Sequence, residues 1–76
     1  MSLKPIPADK LIKILTKIGF IPVRQRGSHV ILRHKDGRST VIPVHRGEDI
    51  GKGLLLKILR DVGLSREDFV TLEKSL

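Results

Sequence analysis

The chain of 76 residues carries fifteen Lys and Arg against eight Asp and Glu, a formal net charge of +7, and no cysteine. Disulfides and thiolate zinc sites are therefore excluded, and with two Phe and neither Trp nor Tyr an aromatic base-stacking platform is poorly supplied. A chain this short is expected to form one domain, 1–76, close to the lower size at which an apolar core holds a fold unaided. A domain this basic points to a polyanionic partner, most often nucleic acid.

No apolar run reaches the ~18 residues of a membrane span, and no charged segment leads an apolar one as in a signal peptide. The expected setting is the cytoplasm, with no membrane partner. Met1, Ser2 and Leu3 read in part as an expression-vector remnant and are left out of the reading. Pro5 and Pro7 make residues 1–7 an extended N-terminal segment. Residues 8–18, ADKLIKILTKI, then read as an amphipathic helix: Leu11, Ile12, Ile14, Leu15 and Ile18 form one stripe. Lys10, Lys13 and Lys17 lie opposite, as a solvated face or as auxiliary phosphate contacts. Gly19 stands where a left-handed cap is wanted.

The period then shortens. Phe20–Arg26, His29–His34 and Arg38–His45 are short runs rich in Val and Ile, linked by Gly27-Ser28 and by Asp36-Gly37, the strongest hairpin signal in the chain. They predict a three-stranded antiparallel meander. Pro22 and Pro43 have no N–H to give a ladder, which suits the first and third runs as edges. Residues 51–62, GKGLLLKILRDV, predict a second helix with Leu54, Leu55, Ile58, Leu59 and Val62 on one face and Gly63 as its stop. Ser65-Arg66-Glu67-Asp68 has the form of an N-terminal cap. A short third helix follows, with Phe69 and Leu72 turned inward.

The expected fold class is α+β: helix, three-stranded antiparallel sheet, helix, plus a short C-terminal helix. Each helix has a single apolar stripe, so both must bury against one sheet face and leave the other open. This is the element order of the double-stranded-RNA-binding domain.

His29 is the leading functional candidate. It follows the turn Gly27-Ser28, where side chains are well exposed. By strand parity Arg24 and Arg26 share one face, and His29, Ile31 and Arg33 share another. If the two sets coincide, an imidazole sits within a guanidinium cluster. Arginine forks bind phosphate at two points, and an imidazole moves protons near neutral pH. Together they suffice to cleave RNA without a metal or other cofactor. Val30 and Leu32 form an equally apolar alternate face, so the sequence leaves open which face His29 takes. His34 reads as a solvated turn residue, and His45 as a weaker candidate for the same site. Gly51-Lys52-Gly53, at the mouth of the second helix, is a second phosphate candidate through Lys52 and free N–H groups. No HxxxH, HExxH or DxD spacing indicates a metal site.

Taken as a set, "KLIKIL…KIGF", "RQRGSH", "RHKDGR", "VIPVH", "GKGLLLKILRDVGLS" and "EDF" resemble the HicA (YcfA-like) toxins of bacterial and archaeal toxin–antitoxin pairs, from about Asp9 to Leu72. The resemblance implies a fold similar to the double-stranded-RNA-binding domain and an mRNA interferase that cuts RNA independently of the ribosome. It implies His29 as the catalytic residue and a HicB-type antitoxin that masks the site. Where many relatives carry Gly-Thr at the head of the second helix, this chain has Gly53-Leu54, without the hydroxyl. The leading expectation is thus an RNA endonuclease toxin. His29 would be acid or base, and Gly27, Ser28, Arg24, Arg26, Arg33 and Lys52 would be RNA-binding. The alternative is a non-catalytic basic RNA-binding module of the double-stranded-RNA-binding type, or a module whose open sheet face serves a protein partner. Pro-interrupted edges disfavour self-pairing, so the free chain is expected to be a monomer.

Overall fold

The computed structural model describes residues 3–76. Its central feature is a three-stranded antiparallel sheet in the order β2 (Ile21–Arg26), β3 (His29–Arg33), β4 (Ser39–Pro43). Helices α1 (Ala8–Lys17) and α2 (Lys52–Val62) pack against one face of it, and α3 (Arg66–Lys74) closes the chain. The expected α+β order is therefore the observed one, and it is consistent with a double-stranded-RNA-binding-domain-like fold. Leu11, Ile14 and Leu15 of α1 meet Leu55, Ile58, Leu59 and Val62 of α2 over Val30, Leu32 and Ile42 of the sheet. Each fully buried Leu or Ile contributes about 1.5–3 kcal/mol by leaving water.

The helix ends follow their glycines. At the end of α1, Phe20 N–H donates to the Leu15 carbonyl and Gly19 N–H to that of Thr16, with Gly19 at φ +98°. At the end of α2, Leu64 N–H donates to Leu59 and Gly63, at φ +71°, to Arg60. Both are Schellman-type closures, which a left-handed residue makes possible. The Ser65 hydroxyl accepts from Asp68 N–H at 3.1 Å, as the cap pattern predicts.

Two features go beyond the sequence reading. First, a two-residue ladder joins β1 (Ile6–Pro7) to β5 (Asp49–Ile50), with Ile6 opposite Ile50. Leu3 is buried in the core at 6% exposure, so its omission as a vector remnant is corrected: it packs as part of the domain. Met1 and Ser2 lie outside the described residues. Second, the β3–β4 hairpin closes around three residues, Lys35, Asp36 and Gly37. His34 N–H donates to Arg38, Gly37 N–H donates to His34, and Gly37 sits at φ +100°. This is the turn-plus-left-handed-residue loop, in which Gly is favoured at the last position.

His34 is not the solvated turn residue its neighbours suggested. Its side chain is 16% exposed, and its ring lies 5.1 Å from that of Phe20, which is fully buried. Its Nδ1 accepts from Asp36 N–H at 3.1 Å. The Arg38 guanidinium stacks 5.2 Å above the Phe20 ring, pairs with Asp36 at 2.8 Å and donates to the Val62 carbonyl. These contacts join the β3–β4 loop to the ends of α1 and α2.

The lysine side of α1 is partly taken up by the last helix. Lys10 lies 3.6 Å from Glu73, and Lys17 donates to the Ser75 carbonyl at 3.0 Å. Lys13 is left exposed.

The strand β2 is irregular. It pairs with β3 as Ile21↔Arg33 and Pro22↔Leu32, then as Arg24↔Ile31, Gln25↔Val30 and Arg26↔His29, which leaves Val23 unpaired. Phe20 is four residues from Arg24 and six from Arg26, so an unbroken strand would put all three on one face. The bulge takes up one residue. Phe20 thereby turns into the core while both arginines face away from it.

Two outcomes are expected from the loop residues. At Gly37 a Cβ meets nothing within 4 Å, so Gly37→Ala should cost only the left-handed backbone term, about 1 kcal/mol. At Gly19 a Cβ would stand 2.8 Å from His34 Nε2, so Gly19→Ala should cost at least about twice as much in urea unfolding. The Arg38 hydrogen bonds beside Asp36 hold its carboxyl down at about 2, against an ordinary 3.8. A depressed carboxylate stabilises fully above its unfolded value and loses that stabilisation as the pH falls through its folded value. The unfolding midpoints of wild type and Asp36→Asn should therefore differ at pH 7 and converge as the pH falls from about 4 to about 2.

Candidate functional site

Alternation along β3 settles the open question of His29. Val30 and Leu32 are buried, so His29, Ile31 and Arg33 point to the opposite, solvent-facing side. Residues opposite each other in an antiparallel pair share a face. The register therefore places three rows across the outer surface: Ile21–Arg33–Ser39, Arg24–Ile31–Val41, and Arg26–His29–Pro43. Each row contains one arginine, and no Asp or Glu occurs in any of the three strands. Successive rows are two residues apart along a strand, about 7 Å.

The turn that sets this register is Gly27-Ser28. Gly27 is at φ +57° and Ser28 is not left-handed, the sign pattern of a type II′ hairpin turn. Nothing lies within 4 Å of a Cβ added at Gly27, so backbone conformation, not crowding, calls for glycine here. The Ser28 carbonyl accepts from Val44 N–H at 2.6 Å, which ties the turn to the chain leaving β4. His29 is exposed and heads its strand directly opposite Arg26, which ends the neighbouring one. Among the described residues no hydrogen bond or ion pair engages the side chains of His29, Arg24, Arg26 or Arg33.

Not every sequence candidate joins this face. Lys52 opens α2 in the helix layer and lines a separate depression with Leu3, Leu56 and Arg66. Gly51 and Gly53 border open space there. His45 is exposed in the loop between β4 and β5. It lines a hollow with Glu48, Asp49 and Leu54 that begins at Pro43, the cross-strand neighbour of His29. Among the described residues no three His, Asp or Glu side chains come together as a metal-binding group.

Sequence reasoning placed Ile31 with His29 and Arg33 but passed over two other apolar members of the outer face. Ile21 is 59% exposed and Val41 40%. Val41 could have been found from its neighbours. Ile42 is buried, and so is Thr40, whose hydroxyl is taken by Asp61 at 3.1 Å. Parity then sends Val41 outward. Ile21 could not, because the bulge changes its facing.

A family model described as the HicA toxin of bacterial toxin–antitoxin systems matches residues 8–64, well over half of the chain. The chain belongs to the HicA toxin family. No curated protein matches it. The matched span of this HicA-family protein runs from the first residue of α1 to just beyond α2, and it contains the whole three-stranded sheet. Membership makes the chain the toxin of a toxin–antitoxin pair and gives it an antitoxin as its partner. The strand β1 and the helix α3 lie outside the match.

The histidines at the two ends of β3 are expected to separate cleanly by substitution. His29→Ala, at an exposed strand end, should move stability by no more than about 0.5 kcal/mol. His34→Ala, which removes the ring against Phe20 and the acceptor for Asp36, should cost about 1–3 kcal/mol. Denaturation of the two variants side by side checks this, and it makes His29→Ala a usable probe of function.

Proposed function

We propose that this HicA-family toxin is an RNA endonuclease in which His29 moves the proton and Arg24, Arg26 and Arg33 hold phosphate. The observation that carries this reading is the register: Arg26 stands directly opposite His29 on a solvent-facing sheet surface without a carboxylate. An imidazole there is free of the structural duties that occupy His34.

The chemistry requires two proton transfers. As the 2′-oxygen of the substrate attacks the adjacent phosphorus, its proton must leave. As the P–O5′ bond breaks, the departing 5′-oxygen must gain one. His29 supplies one of these transfers, worth typically 10²–10⁴-fold, and water serves the other. The guanidinium groups hold the phosphate and offset the charge that builds on its oxygens. A single imidazole gives modest turnover, which is enough for a toxin. Gly27 and Ser28 contribute by fixing where His29 stands. Lys52 belongs to a different surface, and its contact with RNA would require a substrate long enough to reach around the domain. In this reading the antitoxin is of the HicB type and covers the His29 face, the free toxin is monomeric, and the setting is cytoplasmic.

The test is cleavage of a long unpaired RNA, resolved on a gel with EDTA present, by toxin purified without its partner. Wild type should cut, and His29→Ala should lose at least about a hundredfold in rate while still binding RNA. Equal cleavage by both proteins would remove His29 from the mechanism. Binding without cleavage by either would leave an RNA-binding module, recognised by a salt slope that falls by about one for each cation removed.

A further inference from the structure

The arginines account for one part of the outer face and leave its apolar part unexplained. Ile31 and Val41 stand side by side in the middle row, and Pro43 follows Val41 on the same face in the row of His29. Val41 is 40% exposed and Ile31 is half-buried, although an Ile or Val at an outward position of a small sheet is readily replaced by a polar residue. Arg24 flanks this strip in its own row and Arg26 in the next. A strip of aliphatic side chains thus runs beside a line of cations about 7 Å apart. Only cations and an imidazole provide charge on the face, so a polyanion is its electrostatic complement.

We infer that Ile31, Val41 and Pro43 form a shelf for the bases of an unpaired RNA strand whose phosphates follow Arg24 and Arg26. The inference rests on the RNA-cleaving reading above and adds the part of the substrate that the face recognises. An unpaired strand presents both components at once, phosphates on one side and apolar base faces on the other. A duplex encloses its base faces and presents this flat surface with backbone, 2′-hydroxyls and base edges only. The nucleotide on the Ile31–Val41 row neighbours the phosphate brought to His29, so the shelf holds the base beside the cut. With no aromatic ring on the face the contact is sequence-tolerant, and weaker than the stacking of single-strand-binding domains.

The experiment compares three probes on the His29→Ala protein, which leaves the RNA intact: a ten-nucleotide unpaired RNA, a ribose-phosphate strand of the same length without bases, and a ten-base-pair duplex RNA. The base-bearing strand should bind about tenfold tighter than the abasic one and tighter than the duplex. Val41→Ser should reduce that preference to about twofold. Val41→Thr keeps the β-branched shape should the serine variant fold poorly, and it should act in the same direction. Arg24→Gln should weaken the base-bearing and abasic strands by the same factor. A preference for bases that survives both Val41 substitutions overturns the shelf. So does tighter binding of the duplex, or failure of any RNA to bind while the antitoxin loses affinity for the Val41 variants, which would assign the strip to the protein partner. Binding ratios and cleavage are read separately: no preference for bases in the His29→Ala protein, while wild type still cleaves, marks the shelf as wrong, whereas cleavage by His29→Ala with the preference intact marks the catalytic assignment as wrong.

Discussion

The structure depends on one strand having to face two media. In β3, Val30 and Leu32 close the core against α1 and α2, and His29, Ile31 and Arg33 stand in water. As the central strand it is hydrogen-bonded on both sides, so it cannot slip by one residue without exposing Leu32 and burying Arg33. The desolvation of a guanidinium and the loss of two apolar contacts both oppose that slip. The position of the imidazole is thereby fixed by the hydrophobic core rather than by any contact of its own. In the RNA-cleaving reading proposed above, this suits a group that must remain free to meet a substrate.

The remainder of the molecule can be seen as support for that strand. The Gly27-Ser28 turn fixes β2 to it at one end, and the three-residue loop with Gly37 fixes β4 at the other. The His34, Phe20 and Arg38 contacts anchor the second loop to both helices. The salt link from Lys10 to Glu73 and the hydrogen bond from Lys17 to Ser75 hold α3 over α1. At this exposure such links contribute at most about 1 kcal/mol each, and Phe69, buried at 2% exposure, is the stronger attachment.

Much of this was legible in the sequence because it rests on local signals. The two helix stripes, the glycine stops, the Ser65 cap and the alternating runs each declare themselves within a few residues, and they are enough to give the layer order. The candidate face was legible up to a choice between two faces, which burial of Val30 and Leu32 then decided. What escaped depends on distance along the chain. The role of His34 comes from Phe20, fourteen positions earlier. The β1–β5 ladder is two residues long and contains Pro7, so it lacks any period to detect. Lys52 is a phosphate candidate in the sequence because it opens a helix, and where that helix end lies relative to the arginines is set only by the fold, which places it in the helix layer.

The extra residue in β2 has a consequence for how the molecule meets its own copies. β2 is a free edge with all six residues exposed, Ile21 and Val23 among them. A straight apolar edge of this kind is a template on which another chain can add a strand. Here the bulge at Val23 interrupts the row of outward amide groups, and Pro22 beside it removes a donor. A β2 shorter by Val23 would keep Phe20 inward and both arginines outward, since their separations would become odd. The added residue therefore acts at the edge and not at the site: with Pro22 it breaks the regular row of amide groups on which a further strand would add.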